Sequence, residues 1–383
     1  MGIEIRIFAP VTAEHAYFER LGITQLASSI STTTNLSSPG HFSVAIPVGA
    51  LHADKLREGC LLLIDRLFWG IVDSVNFDAT EMGEMLTVSG SDLKGVTAGW
   101  ITLPPQSSGA AAMHGYDAKQ GSTETVMQHF VNVNMIDTFQ PQRHVHGLLL
   151  APDQGRGLPD DRYASRHDNL ARVLQELADA SGLGYDIIPD LEEGAYIFDV
   201  IQGLDRSGNQ SDRPRVVFDL SRGTAQAQTY QSSRQDARNA FYATMSGAEF
   251  ADEALTMMYI RDGEEEQAGL FRREQHLTIS AETPTAGDEY NELRRYALIE
   301  AEQFRPAESF DCVIIEDRLR YGVDYFVGDT VTVQHRGWGI TMHPMLMSMT
   351  TDYTAAGITR QATFGKAPLN VFGRLRQQMR GGL

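Results

Sequence analysis

No stretch of the 383-residue chain runs apolar for the roughly 18 residues that a membrane-spanning helix needs. Cysteine is almost missing. Cys60 and Cys312 are the only two, far apart and each inside an apolar, strand-like run (CLLLI and CVII). They read as buried thiols, not as a zinc set or a disulfide framework. Positive charge is also short: 32 Lys and Arg face 50 Asp and Glu, a formal net charge of −18. That balance argues against a protein that tracks nucleic-acid phosphates, although an acidic lining would suit a conduit because it repels DNA. The opening MGIEIRIFAP has no basic segment followed by an apolar one and alternates like a first strand. A chain made and folded in cytoplasm is the expectation.

The motifs of most enzyme classes are absent too. GxSxG and HExxH do not occur, and Cys60 lies in an apparent core strand, away from any nucleophile elbow. His144 and His146, spaced to share one side of a strand, have His129, Asp137, His114 and His167 near them in sequence but no metal-site spacing. No motif selects Asp65, Glu316 or Asp317 as a glycosidase pair from fifty acids. Gly155-Arg156-Gly157 and Gly182-Leu183-Gly184 lack a third glycine and read as turns. The expected catalytic, metal and cofactor sets are therefore empty.

What is present is a soluble globular composition, 42% apolar and 21% charged, with mean hydropathy −0.25. Its length suggests two to four domains. Residues 1 to about 103 alternate as antiparallel β: Ile3, Ile5 and Ile7; Phe42, Val44 and Ile46; then Leu61–Ile64, Trp69–Val75 and Met85–Val88. Residues 104–121 lose all periodicity and mark a boundary or surface loop. A helix follows from Leu170, with Val173, Leu174, Leu177 and Ala178 on one face and Gly182 at the C-cap. A weaker helix begins at Ser122 and presents Val126, Met127, Phe130 and Val131. Strands near 185–188, 195–201 and 216–220 make this region α+β. Further strands are expected at 240–245, 255–260 and from 310 to 365. A helix over 288–305 would bury Tyr290, Leu293, Ala297, Ala301 and Phe304. The acidic 249–266 segment reads as a solvated loop, and the last residues as a short basic helix.

One unit occurs twice. Gly59-Cys60-Leu61-Leu62-Leu63-Ile64 leads to Trp69-Gly70-Ile71, and Gly328-Asp329-Thr330-Val331-Thr332-Val333 leads to Trp338-Gly339-Ile340. Each copy ends downstream in an apolar strand closed by glycine, at Gly90 and Gly365. Gly59, Gly70, Gly90, Gly328, Asp329, Gly339 and Gly365 are the candidate fold-defining turn positions. The aromatic residues Trp69, Tyr325, Phe326 and Trp338 read as barrel core.

The runs LFWGIVDSVNFDATEMGEMLTVSGSDLKGVTAGWITLPP and YIFDVIQGLDRSGNQSDRPRVVFDL, with YFVGDTVTVQ and ITRQATFGKAP, resemble the baseplate-hub proteins of tailed phages. These are the Gp37-like tail proteins of long-tailed phages, related to the N-terminal part of prophage tail endopeptidases and to the central hub of contractile tails. The resemblance extends from about residue 3 to residue 370. It implies an α+β, mainly β fold: two tube-like antiparallel β-barrel domains, an inserted α+β domain and a smaller interrupting domain. Mapped on this chain, 1–103 is the first barrel, 104–220 the lateral domain, 221–260 with 310–367 the second barrel, and 261–309 with 368–383 the small domain. It further implies a homotrimer in the virion whose six barrels match a six-fold tube. Its partners would be the distal tail or tail tube protein, the tape measure protein, and tip fibre or spike proteins. DNA would pass through the lumen without specific binding. Longer relatives append a peptidoglycan-cutting domain, for which this chain leaves no room, so a non-enzymatic hub is expected. The rival readings are a tail-associated peptidoglycan hydrolase and a carbohydrate receptor-binding module in 104–220.

Overall fold

Leu61–Ile64 shows how this sequence folds: four consecutive aliphatics, every one buried. A strand with one face in water would alternate, so the run requires a sheet covered on both sides. The structure, a computed structural model, describes residues 2–80, 83–105, 115–159, 161–246, 255–260, 269–280, 289–302 and 304–366. They fall into two units, Met1–Gln228 with Asp311–Phe364, and Thr229–Phe310 with Gly365–Leu383.

The strands in chain order are β1 (Ile5–Phe8), β2 (Arg20–Thr24), β3 (Ser29–Asn35), β4 (His41–Pro47), β5 (Leu61–Ile64), β6 (Phe68–Thr80), β7 (Gly83–Asp92), β8 (Asp117–Gly121), β9 (Leu148–Leu150), β10 (Asp161–Ser165), β11 (Gly184–Asp190) and β12 (Ala195–Ile201). They continue as β13 (Val217–Asp219), β14 (Ala225–Ser233), β15 (Ala240–Ser246), β16 (Leu255–Ile260), β17 (Glu274–Ser280), β18 (Ala307–Ile314), β19 (Thr332–His335), β20 (Ile340–Met342), β21 (Leu346–Thr354) and β22 (Gly357–Lys366). The helices are α1 (Thr123–Val131), α2 (Leu170–Ser181) and α3 (Glu289–Glu302). The chain is thus mainly β, with α+β character in the middle.

Eleven strands form one sheet in the order β14-β18-β22-β21-β3-β4-β7-β6-β5-β1-β2. β14, β18 and β22 carry the chain from one unit to the other. Strands assigned by sequence to two separate barrels therefore share a sheet. β21 pairs antiparallel with β3 from Ser348↔Asn35 to Tyr353↔Ile30. Side chains reinforce the pairing: Ser31 Oγ donates to Asp352 Oδ1 at 2.6 Å, and Thr33 and Thr350 hydroxyls meet at 3.0 Å; Tyr353 Oη ties β21 to the turn after β5 by donating to Asp65 Oδ2 at 2.9 Å. Among the described residues no ladder joins β2 to β14, so barrel closure is not seen.

Within the first unit β5 separates two cores. Leu62 and Ile64 face Ile5, Ile7, Phe42, Val44, Ile46 and Val88. Leu61 and Leu63, with Phe8, face α1, α2, β11 and β12. The helices behave as their sequences indicate: Ser122 caps α1 by accepting from Thr125 N at 3.1 Å, Asn169 caps α2, and Gly182 ends α2 at φ 68°. The aperiodic 104–121 segment is not all loop, because Asp117–Gly121 is a strand paired with Asp161–Ser165; residues 106–114 lie outside the described residues.

Three buried polar assemblies fix this unit. Glu124, fully buried, accepts from Arg156 Nε (3.0 Å), Nη2 (2.6 Å) and N (2.8 Å) and from Gln154 N (3.1 Å). Burial works against its charge, yet the Arg156 guanidinium and amides outweigh that and hold its carboxyl below the usual glutamate range. Lys94, in the turn after β7, donates to Asn35 O and, at 3.3 Å, to Tyr185 O, with Asp92 Oδ2 3.8 Å away. Burial pushes Asp92 up to about 7, against the pull of Lys94. Asp329 accepts from Leu204 N (2.7 Å), Arg206 Nε (2.8 Å) and Phe326 N (3.0 Å).

In the second unit β15 pairs antiparallel with β16 and parallel with β17. Phe241, Ala243, Met245, Leu277 and Ile279 pack on Leu293, Ala297, Ala301 and Phe304 of α3 and its exit. The stretches 240–246 and 255–260, assigned by sequence to the second barrel, sit here with the helix. Tyr290, expected in the buried face of α3, is 55% exposed. Most of the acidic patch (249–254 and 261–266) and the basic tail from 368 lie outside the described residues.

Arg156→Ala leaves Glu124 as a buried, uncompensated charge and should lower stability in urea unfolding by about 3–5 kcal/mol. Because the Glu124 carboxyl is held low, its contribution is present above the ordinary glutamate range. The excess stability of wild type over Glu124→Gln should shrink as pH falls through and below that range. Asp92 has the opposite sign. Its raised value means the fold favours the neutral acid, so wild type should lose stability relative to Asp92→Asn as pH rises from 3.8 to about 7. Thermal melts across that window check it. Finally, a methyl at Gly90 would overlap Ile71 O in the neighbouring strand, whereas Gly59, at φ 81°, opens to free space. Gly90→Ala should cost about 3 kcal/mol and Gly59→Ala about 1–2 kcal/mol, read by the same unfolding curves.

Candidate functional site

The residues singled out for chemistry are mostly occupied by structural work. His144 and His146 are exposed, with ring centroids 4.9 Å apart, and His144 Nδ1 bonds Ile136 O at 2.7 Å. His129 Nε2 instead meets Asp117 Oδ1 at 2.9 Å. His167 sits in a left-handed turn at φ 59°, and His114 lies outside the described residues. Among the described residues no three His, Cys, Asp or Glu side chains gather to hold a metal. Both cysteines are free. Burial pushes the Cys312 thiol up to about 12. Cys60, expected within a buried strand, precedes β5 and is half-buried, its Sγ 3.4 Å from Lys55 O. Asp65 holds Tyr353, and Glu316 pairs with Arg360 and accepts from Tyr321 N. Arg156, between Gly155 and Gly157, is turned onto Glu124 and Asp199.

The turn positions have distinct geometry. Gly59, Gly328, Gly339 and Gly365 adopt φ 81°, 99°, 66° and 72°, a region that costs a side chain energy. Gly70 and Gly90 have no such φ. They lie where strands crowd, Gly70 against the Phe42 ring and Gly90 against Ile71 O. Asp329 organises the Leu204–Arg206 segment, as given above.

The two copies of the repeat form hairpins of different register. In the first, Ile71 pairs with Leu61 and Trp69 with Leu63; the Trp69 ring rests on Phe8 at 5.3 Å. In the second, Ile340 pairs with His335 and not with Thr330. Trp338 consequently ends a 3-10 turn, Arg336–Trp338, and its ring is 63% exposed on His335 at 4.7 Å. It is not barrel core, and neither is Phe326, which is exposed. Tyr325 is fully buried against Phe218.

The remaining candidate surface is apolar and charged relief, which no local sequence pattern announces. Trp338 shares a turn with Arg336, and Asp219 Oδ2, 3.4 Å from Arg336 Nε and 3.9 Å from Arg222 Nε, draws that turn toward the one holding Leu220 and Arg222. Elsewhere the sheet β11-β12-β9 turns one face to the α1 and α2 core and on the other aligns Ile188, Ile197 and Leu149 in register. Ile188 and Leu149 are 47% and 51% exposed.

Tail proteins are among the solved structures that share this fold. The tail protein from Neisseria meningitidis MC58 aligns over 96% of this chain and 97% of its own, with TM-score 0.57 at 14% identity. The 43 kDa tail protein of prophage MuSo2 from Shewanella oneidensis gives TM-score 0.57 at 14% identity, over 94% of this chain and 98% of its own. The prophage tail protein gp18 from Listeria monocytogenes EGD-e covers 100% of this chain and 99% of its own, with TM-score 0.55 at 13% identity. No curated protein sequence matches. A family model, however, matches from residue 4 to residue 366, and the chain belongs to the family it describes, the Siphovirus ReqiPepy6 Gp37-like tail proteins.

Proposed function

We propose that this tail protein is the non-enzymatic hub of a phage or phage-like tail tip or baseplate, acting as a homotrimer that joins the six-fold tail tube to the three-fold tip. The observation that carries the reading is a family match over nearly the whole length, on a fold whose largest element is one sheet drawing strands from both ends of the chain. In this reading that sheet builds the tube-like part, with residues 104–220 as a lateral domain and the second unit as a small domain that interrupts it in sequence. Three copies present six tube-like segments around a channel. The channel receives the tape measure protein and passes DNA without specific binding, which the net charge of −18 favours.

The partners are the distal tail or tail tube protein above and tip fibre or spike proteins below, in a particle assembled in the host cytoplasm. Gly59, Gly70, Gly90, Gly328, Asp329, Gly339 and Gly365 serve geometry here, not catalysis. Among the described residues no helix is long and apolar enough to cross a membrane, so attachment in this reading is to protein.

Mass photometry and negative-stain microscopy of the purified chain, alone and with its tail partners, should give a trimer with three-fold rings. A monomer under every condition would overturn the hub. Release of muropeptides from purified cell walls would overturn the non-enzymatic part and favour a tail-associated hydrolase.

A further inference from the structure

On a chain with net charge −18, an exposed cationic surface stands out. The parallel pairing of β13 with β19 sets Asp219 beside Gln334, and so brings the Leu220–Arg222 turn next to the Arg336–Trp338 turn. Asp219 is buried and balances one guanidinium. The Arg222 and Arg336 side chains both remain more than half exposed, so the patch keeps a net positive charge. Trp338 and Leu220 add apolar area beside them. The tip is also rigid. Trp338 N donates to His335 Nδ1 at 3.2 Å, its ring stacks on the imidazole, and Gly339 closes the turn at φ 66°. A preordered Trp in one turn with an exposed Arg, and a second exposed Arg on the adjoining turn, has the composition of an interface hot spot.

The complementary surface is on the same chain. The uncovered row Ile188, Ile197 and Leu149 is apolar where Trp338 and Leu220 are apolar. The turn between β11 and β12 borders it with exposed Glu192 and Glu193, whose amides donate to Asp190 Oδ1 at 2.9 and 3.1 Å and so fix that acidic rim. Neither surface is self-complementary: two copies meeting through the same patch would oppose like charges.

We infer that the patch of Leu220, Arg222, Arg336 and Trp338 on one copy docks on the outer face of β11-β12-β9 of the next. Contacts between two different patches are heterologous, and closing them around three copies makes a ring. The inference rests on the trimeric reading above and assigns the surface that holds it together.

Sedimentation velocity on the full chain tests it. Trp338→Ala and Arg336→Glu should each weaken trimer formation at least about 30-fold, the effect of losing a hot-spot side chain. The double change Glu192→Arg with Glu193→Arg should do the same. Combining Arg336→Glu with Glu192→Arg and Glu193→Arg restores opposite charges and should recover the trimer, which a merely misfolded variant would not do. Raising salt should weaken the wild-type trimer. If the wild type is trimeric and Trp338→Ala and Arg336→Glu are equally so, the inference falls while the hub reading stands. Dissociation by the single changes without recovery in the combined variant overturns the pairing with the acidic face. A wild type that never trimerises overturns the hub itself.

Discussion

The ladder between Ser29–Asn35 and Leu346–Thr354 is the constraint on which the first unit depends. It ties together segments more than 300 residues apart in sequence, as the Ser31–Asp352 bond at a separation of 321 shows. Bringing such segments together costs loop-closure entropy that grows only slowly with length. The ladder returns that cost through backbone hydrogen bonds, two side-chain bonds across it and the burial of Ile30, Met349 and Tyr353. Without it, β3 and β21 would each be a bare edge, and the sheet would separate into an N-terminal and a C-terminal piece. The long middle of the chain is then an excursion from a sheet that its two ends complete.

That excursion is itself anchored by charge placed where water cannot reach. Glu124 with Arg156, Asp92 with Lys94 and Asp329 with Arg206 each bind a loop to a distant element. In the Glu124 and Asp329 sites a guanidinium and backbone amides saturate the carboxylate, whereas Asp92 Oδ1 has no hydrogen-bond partner among the described residues and burial favours its neutral form. Removing Arg156 from such a site leaves the Glu124 charge buried without its counterion. Around them the double-sided burial of β5 makes the main sheet an interior layer between two apolar cores.

Much of this was legible in the sequence. The LLLI run, the 3.6-residue period from Leu170 and the caps Ser122 and Gly182 all carry local signals, and local physics decides them. The strand Ser29–Asn35 was not legible, because SISTTTN alternates between residues of nearly equal polarity and shows no hydrophobic period. AQAQTYQSS in β14 and EQHLTIS in β17 are similar cases, strands chosen by their neighbours more than by themselves. The repeat misled in an instructive way. Its Trp-Gly-Ile tripeptides match, but hairpin register is set by turn geometry. A 3-10 turn at Arg336–Trp338 therefore exposes one tryptophan where the other is packed on Phe8. Of the candidate surface nothing was legible, since Asp219 and Arg336 come together only through the parallel pairing of two short strands.

The position of β21 and β22 near the end of the chain bears on how the subunit is made. A ribosome delivers β1 to β7 long before the residues that β3 must pair with have been synthesised. Until then the edge of β3 that faces β21 has no partner strand for its backbone N–H and C=O groups. A product truncated before residue 346 would keep that open edge permanently and could not complete the sheet. The sheet is therefore complete only once residues 346–354 have been made.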